Sequence, residues 1–263
     1  MEFLKGTSVW MVALVCFVLT GCAPEMPPQA RELLNSGIDA YEAGDHDTAR
    51  SRMDKFLSQY PRVRGVAEAY YLRGMAYYRQ ERPDDARRDL RKAVDDADDK
   101  HLRGRALVAL GNIAYENDEI AAAENYYRDA LDDLDGDRPP RDQALYRLGC
   151  VLQRQGRWRE ADTQFNRLIY VFEDSSFASS AERRVHARAW TIQAGAFDER
   201  KHADSLAGKL RDDGLDARVI PLLADRAPRF VVCVGRYSSH EAADAGVEDV
   251  RNHEGEAFVT VIR

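Results

Sequence analysis

The sequence predicts a multidomain fold: an all-α superhelix of paired helices over residues 30–185, then a small α+β domain of order βαββαβ over residues 189–263. Two observations carry that prediction. Glycines recur at Gly37, Gly74, Gly111 and Gly149, spaced 37, 37 and 38 residues apart, and fixed offsets after each hold an alanine and then a bulky apolar residue. Near the C-terminus, two segments at an offset of 40 each read as strand, glycine, aromatic and helix-period stretch.

The chain opens with Lys5 and an uninterrupted apolar run from Val9 to Leu19, which reads as a signal-peptide core and is short for a membrane span. The run ends in Leu19-Thr20-Gly21-Cys22, and the residues after it turn polar and proline-rich (Pro24, Pro27, Pro28). This pattern resembles the lipobox of bacterial lipoproteins. The resemblance implies a leader over residues 1–21, lipid on the sulfur of Cys22 and a tether over residues 22–29. Two or more acyl chains would make that attachment durable. Ala23 follows the cysteine, which favours the outer membrane, with the protein facing the periplasm. An ordinary secretory leader or an uncleaved anchor is the alternative.

Across residues 30–185 the alanines are Ala49, Ala86, Ala123 and Ala161, and the bulky residues one helical turn later are Met53, Leu90, Tyr127 and Phe165. Small residues let two helices cross closely, and the large residue then fills the space between them. The pattern resembles tetratricopeptide (TPR) repeats: about four helical hairpins, with a partial capping helix after residue 177. Gly44 and Gly156 mark the turn inside copies one and four, whereas Glu81 and Asp118 stand at that turn in copies two and three. Tyr41, Tyr78, Tyr115 and Gln153 recur one turn after the repeat glycines. They are expected either to line a groove for an envelope protein partner or to pack between repeats.

In the last domain, Trp190 to Phe197 lies over Phe230 to Tyr237. Ala203, Leu206, Ala207 and Leu210 share one helix face, matched by Ala243, Gly246, Val247 and Val250, and Ala217–Leu222 and Ala257–Ile262 close the two units as strands. Both helices are expected on one side of a four-stranded sheet, leaving the other side open. This arrangement resembles the SPOR (sporulation-related repeat) domain, its more specific element being Ile192-Gln193-Ala194-Gly195-Ala196-Phe197. Val231 and Arg236 depart from the family pattern, which often has arginine and proline there.

The resemblance implies binding to peptidoglycan glycan strands, especially strands stripped of stem peptides during division or wall remodelling. Alternation puts Thr191 and Gln193 on the open face, with Arg229, Val231 and Cys233. Gln193, Thr191, Arg229 and Phe258 are the expected glycan contacts. For Arg229 and Phe258 the alternatives are a surface charge and core filler. The apolar Val231 and Cys233 keep a protein ligand open for this face.

Composition narrows the field. A net charge of −7, with acidic residues beside most arginines, argues against nucleic acid. Cys150 and Cys233 fall in separate apolar patterns and read as core residues, a bridge between them being the alternative. The histidines lack metal-ligand spacing, and no phosphate-binding glycine loop or nucleophile elbow is present. The expectation is therefore a non-enzymatic protein with no cofactor and no bound metal. A purely protein-binding scaffold is the alternative.

Overall fold

A computed structural model describes residues 25–224, 227–253 and 256–262. The leader and the lipidation site at Cys22 lie outside the described residues. No helix among the described residues is long and apolar enough to cross a membrane.

The chain first forms helical hairpins: α1 (Pro28–Glu42) with α2 (His46–Gln59), α3 (Val66–Arg79) with α4 (Pro83–Asp96), α5 (Lys100–Glu116) with α6 (Ile120–Asp133), and α7 (Arg141–Arg154) with α8 (Trp158–Val171). The helix α9 (Ser176–Arg184) packs on α7 and α8, as a cap should. Asp45 caps α2 by accepting the Thr48 N–H at 3.0 Å, which holds its carboxyl below the usual carboxylate range.

The repeat glycines explain the tight crossings. A Cβ on Gly149 would lie 2.4 Å from the Phe165 ring, and one on Gly111 would lie 2.6 Å from Tyr127. Met53, Leu90, Tyr127 and Phe165 are all fully buried, each packing where its repeat glycine leaves space. Burying a side chain of this size contributes about 2–3 kcal/mol. The turn positions of copies two and three keep the repeat geometry despite lacking glycine. Glu81 (φ 58°) and Asp118 (φ 62°) occupy the same left-handed backbone as Gly44 (φ 80°) and Gly156 (φ 73°).

Ion pairs tie the two helices within a hairpin, and one of them also reaches the preceding hairpin. Arg73 grips the buried Asp89 through two bonds of 2.6 and 2.9 Å and also reaches Asp54 at 2.8 Å. Arg103 does the same to buried Asp133, with both bonds at 2.5 Å. The first helices also touch one another in series, α1 with α3, α3 with α5, α5 with α7 and α7 with α9. The inner side of the superhelix is therefore the side those helices line.

The last domain runs β1 (Ala189–Phe197), α10 (Arg200–Asp212), β2 (Ala217–Ala224), β3 (Ala227–Tyr237), α11 (His240–Ala245), α12 (Val247–His253) and β4 (Phe258–Ile262). Its sheet is antiparallel in the order β2-β3-β1-β4. Ile192, Ala194, Val232 and Val234 pack on Leu206, Leu210, Val247 and Val250, so the helices cover one face as expected. The second expected helix is instead two short ones meeting at Gly246. A Cβ there would lie 2.9 Å from the Tyr237 hydroxyl and 3.1 Å from Ile192 Cδ1, so the chain passes close to the sheet at that point. Cys150 and Cys233 are buried free thiols in separate parts of the chain.

Trp190 packs against the repeats as well as against α11, 5.8 Å from Trp158 and edge-on to His240 at 4.9 Å, with the Arg184 guanidinium over its ring. Beside it, buried Asp162 accepts the His186 N–H at 2.8 Å and Arg188 at 2.7 Å. The short connection between repeats and sheet is thereby held at both ends.

Candidate functional site

The uncovered face of the sheet is organised in rows by strand register. Gln193 on β1 lies opposite Cys233 on β3 and Phe258 on β4, and Cys233 in turn lies opposite Arg218 on β2. One row therefore reads guanidinium, thiol, amide and aromatic ring. Phe258 is 53% exposed, so it is not core filler. Gln193 is half-buried between its neighbours. Burial pushes the Cys233 thiol up to about 11, which leaves it neutral in mid-row. An amide and a guanidinium can bond hydroxyl edges while the ring stacks on an apolar sugar face.

Two of the expected contacts are corrected. Thr191 is fully buried, and its hydroxyl faces the backbone carbonyl oxygens of Val234 (3.1 Å) and Gly235 (2.9 Å), so it braces a strand and does not reach a ligand. Arg229 is not beside Gln193. It lies opposite Leu222, four residues along β3 from Cys233, or roughly 13 Å away, and pairs with Asp198 at 3.2 Å. The basic residue in the row is Arg218. Alternation in the second strand puts it on the open face, but only the pairing of β2 with β3 brings it to Gln193's row.

The ladder in the repeats resolves into contacts with the following copy. The Tyr41 hydroxyl accepts from Arg79 at 3.4 Å, and the Tyr78 hydroxyl donates to Glu116 at 2.5 Å. Tyr115 lies beneath Arg147 and Arg154, each 5.6 Å from its ring centre. Gln153 is a correction: it is fully buried, donating to the Arg184 carbonyl at 3.0 Å and accepting from Arg184 Nε at 2.9 Å. It anchors the end of α9 and does not line a groove. The three tyrosines are half-buried and staple adjoining repeats while keeping part of their rings accessible.

Comparison with known proteins fits this geometry. Residues 187–260 match the family model of the SPOR domain, and residues 33–62, 65–135 and 143–175 match tetratricopeptide-repeat models. The chain carries tetratricopeptide repeats and a C-terminal SPOR domain. Among solved structures, a tetratricopeptide repeat protein from Parabacteroides merdae shares the fold of the helical part. It superposes with a TM-score of 0.51 at 17% identity, covering 72% of this chain and 68% of its own. The pilF protein of Pseudomonas aeruginosa gives 0.49 at 19% identity over 59% of this chain and 68% of its own. YrrB, described as a TPR protein with an unusual peptide-binding site, gives 0.46 at 20% identity over 59% and 76%. No curated protein matches the chain in sequence.

Tetratricopeptide repeats are in general protein-interaction modules, SPOR domains bind peptidoglycan, and both are typically non-enzymatic. In this SPOR domain the glycine of the first strand sits at a β-bulge. The register of β1 against β3 shifts between Gln193 and Gly195, where a Cβ would lie 2.9 Å from the Phe197 ring. The bulge lets Phe197 turn back onto the covered side.

Proposed function

We propose that this protein is a non-enzymatic adaptor of the bacterial cell envelope. Lipid on Cys22 holds one end in a membrane, in the outer membrane and facing the periplasm. The tetratricopeptide repeats hold an envelope protein, and the SPOR domain holds peptidoglycan glycan strands during division or wall remodelling. The observation that carries the glycan reading is the open-face row of Arg218, Cys233, Gln193 and Phe258, polar at two points and aromatic at its edge. The lipobox-like Leu19-Thr20-Gly21-Cys22 supports the anchor.

The test is co-sedimentation of the full chain with intact and with peptide-stripped peptidoglycan. Wild-type protein is expected to pellet preferentially with stripped glycan. Gln193→Ala and Phe258→Ala are each expected to lower the bound fraction about tenfold, while Arg229→Ala leaves it within about twofold. Equal behaviour of all variants would remove the row from the glycan site, and no pelleting by wild type would remove glycan binding. Loss of lipid labelling in Cys22→Ala tests the anchor.

A second reading, a scaffold that binds only proteins, is favoured by one feature. Next to the row, Val231 lies opposite Ile220, and Leu222 beyond them is 50% exposed, which makes that end of the face apolar. Peptidoglycan-independent capture of a protein by the SPOR domain would support it.

A further inference from the structure

A short stretch of chain separates the proposed lipidation site from the folded repeats. Met26 packs on the core of the first hairpin beside Leu34 and Phe56, and its methyl fills the space that Gly65 leaves. The Pro27 carbonyl accepts the Arg31 N–H at 3.0 Å, so α1 is fixed from its first turn. Between Cys22 and Met26 stand Ala23, Pro24 and Glu25. Four Cα steps reach at most about 14 Å. Lipid on Cys22 therefore holds the first hairpin within that distance of a bilayer surface. The SPOR domain packs on α7, α8 and α9, at the opposite end of the superhelix.

The surface at the tether is basic where the equivalent surfaces further along are acidic. The connection of residues 60–65 meets Met26 through Gly65 and carries Arg62 and Arg64, both exposed, with no carboxylate. The later connections reverse this balance. Residues 97–99 hold two aspartates and no base, residues 134–140 two aspartates and one arginine, and residues 172–175 a glutamate and an aspartate. Arg31, exposed in the first turn of α1, adds a third guanidinium beside the tether. Among the described residues, none of these three arginines pairs with a carboxylate. Of the nearby acids, Glu32 lines a cleft between α1 and α2 with Arg52, and Glu68 is turned to Tyr71. Among the described residues that leaves Glu25 beside the three arginines.

We infer that Arg31, Arg62 and Arg64 dock the first hairpin onto the anionic phospholipid headgroups of the membrane that holds the lipid. The inference rests on the anchor proposed above and adds the protein surface that lies against the bilayer. Attraction between exposed charges fades over a Debye length of about 8 Å, so these arginines act because the short tether keeps them near the headgroups. Each arginine at an anionic surface favours the docked state roughly fivefold, so Arg62 and Arg64 together supply roughly 25-fold. The same surface repels the acidic connections, which directs the later repeats and the SPOR domain away from the bilayer.

The experiment uses the purified lipidated protein, its Cys22 adduct verified by mass. It is reconstituted in vesicles of phosphatidylglycerol and phosphatidylcholine in equal parts, and in phosphatidylcholine alone. Modification by phenylglyoxal is followed at each arginine by peptide mass spectrometry. Arg31, Arg62 and Arg64 are expected to react at least about fivefold more slowly on the anionic vesicles. Arg91, exposed on α4, is expected to react equally on both. In the double variant Arg62→Gln with Arg64→Gln, Arg31 is expected to lose most of its protection. An eight-residue Gly-Ser insertion after Pro24 is expected to weaken protection at all three, because local concentration falls as a tether lengthens.

Equal rates on the two kinds of vesicle, with lipid present on Cys22, would overturn the inference and leave the anchor standing. Slowing of Arg91 to the same degree would overturn it by reducing the effect to the reagent's behaviour at a charged surface. Full protection of Arg31 in the double variant would remove the connection of residues 60–65 from the docking surface. Protection undiminished by the insertion would overturn the role of the short tether. Absence of lipid on Cys22 would remove the anchor itself, and this inference with it.

Discussion

Replacing Gly149 by alanine sets two opposing effects against each other inside one repeat. Alanine is the better helix former, by about 1 kcal/mol in a helix interior. The new Cβ, however, would sit 2.4, 2.7 and 2.8 Å from three ring atoms of Phe165. That ring is fully buried and lies 6.0 Å from the Tyr146 ring, so it has no free volume to enter. Overpacking of this kind costs about 1–3 kcal/mol, so the net expectation is a loss of up to about 2 kcal/mol. Gly37→Ala is the internal contrast. Its Cβ would also approach to 2.4 Å, but the atom met is the terminal methyl of Met53, which can swing aside. That variant should lie within about 0.5 kcal/mol of wild type. Urea unfolding followed by far-ultraviolet circular dichroism reads both. Gly149→Ala combined with Phe165→Leu should be more stable than the two single losses added together, with a coupling of about 1 kcal/mol. A Gly149→Ala protein more stable than wild type, or a coupling of zero, would refute the account of the glycine as a space for Phe165.

Three further outcomes are expected. Glu81 holds a left-handed backbone at an exposed turn, so Glu81→Gly should stabilise the repeats by about 1 kcal/mol in the same urea assay. Asp89→Asn leaves Arg73 with only Asp54, and thermal unfolding should report a loss of about 2–3 kcal/mol. His240 is held below its ordinary 6.5 by burial and by Arg154 nearby, so its neutral form is the one the folded state prefers. Its contribution is therefore fully present above pH 6.5 and is lost as pH falls through 6.5 towards the lower folded value. Unfolding measured across that window should be less pH-dependent in His240→Gln than in wild type.

The repeats were legible in the sequence because their contacts are short-range. Gly149 meets Phe165 within one hairpin, and a fixed offset in the chain becomes a fixed contact in space. The same holds for the twofold β-α-β pattern, since alternation and helix period are local properties of the backbone. Local pattern also sufficed to place Gln193 and Cys233 on the open side of the sheet. It could not choose their neighbours, because those come from strands distant in sequence and depend on register. The bulge after Gln193 and the pairing of β2 with β3 put Arg218, and not Arg229, in that row. The ladder met the same limit. Its 37-residue period was visible, but whether the rings faced solvent or the next repeat depended on how the repeats stack, and α9 had to be in place before Gln153 was seen to be buried. Arg184 carried no periodic signal at all. Its position beside Tyr115 and Tyr146 follows from the packing of α9 across α7, a contact that only the folded chain creates.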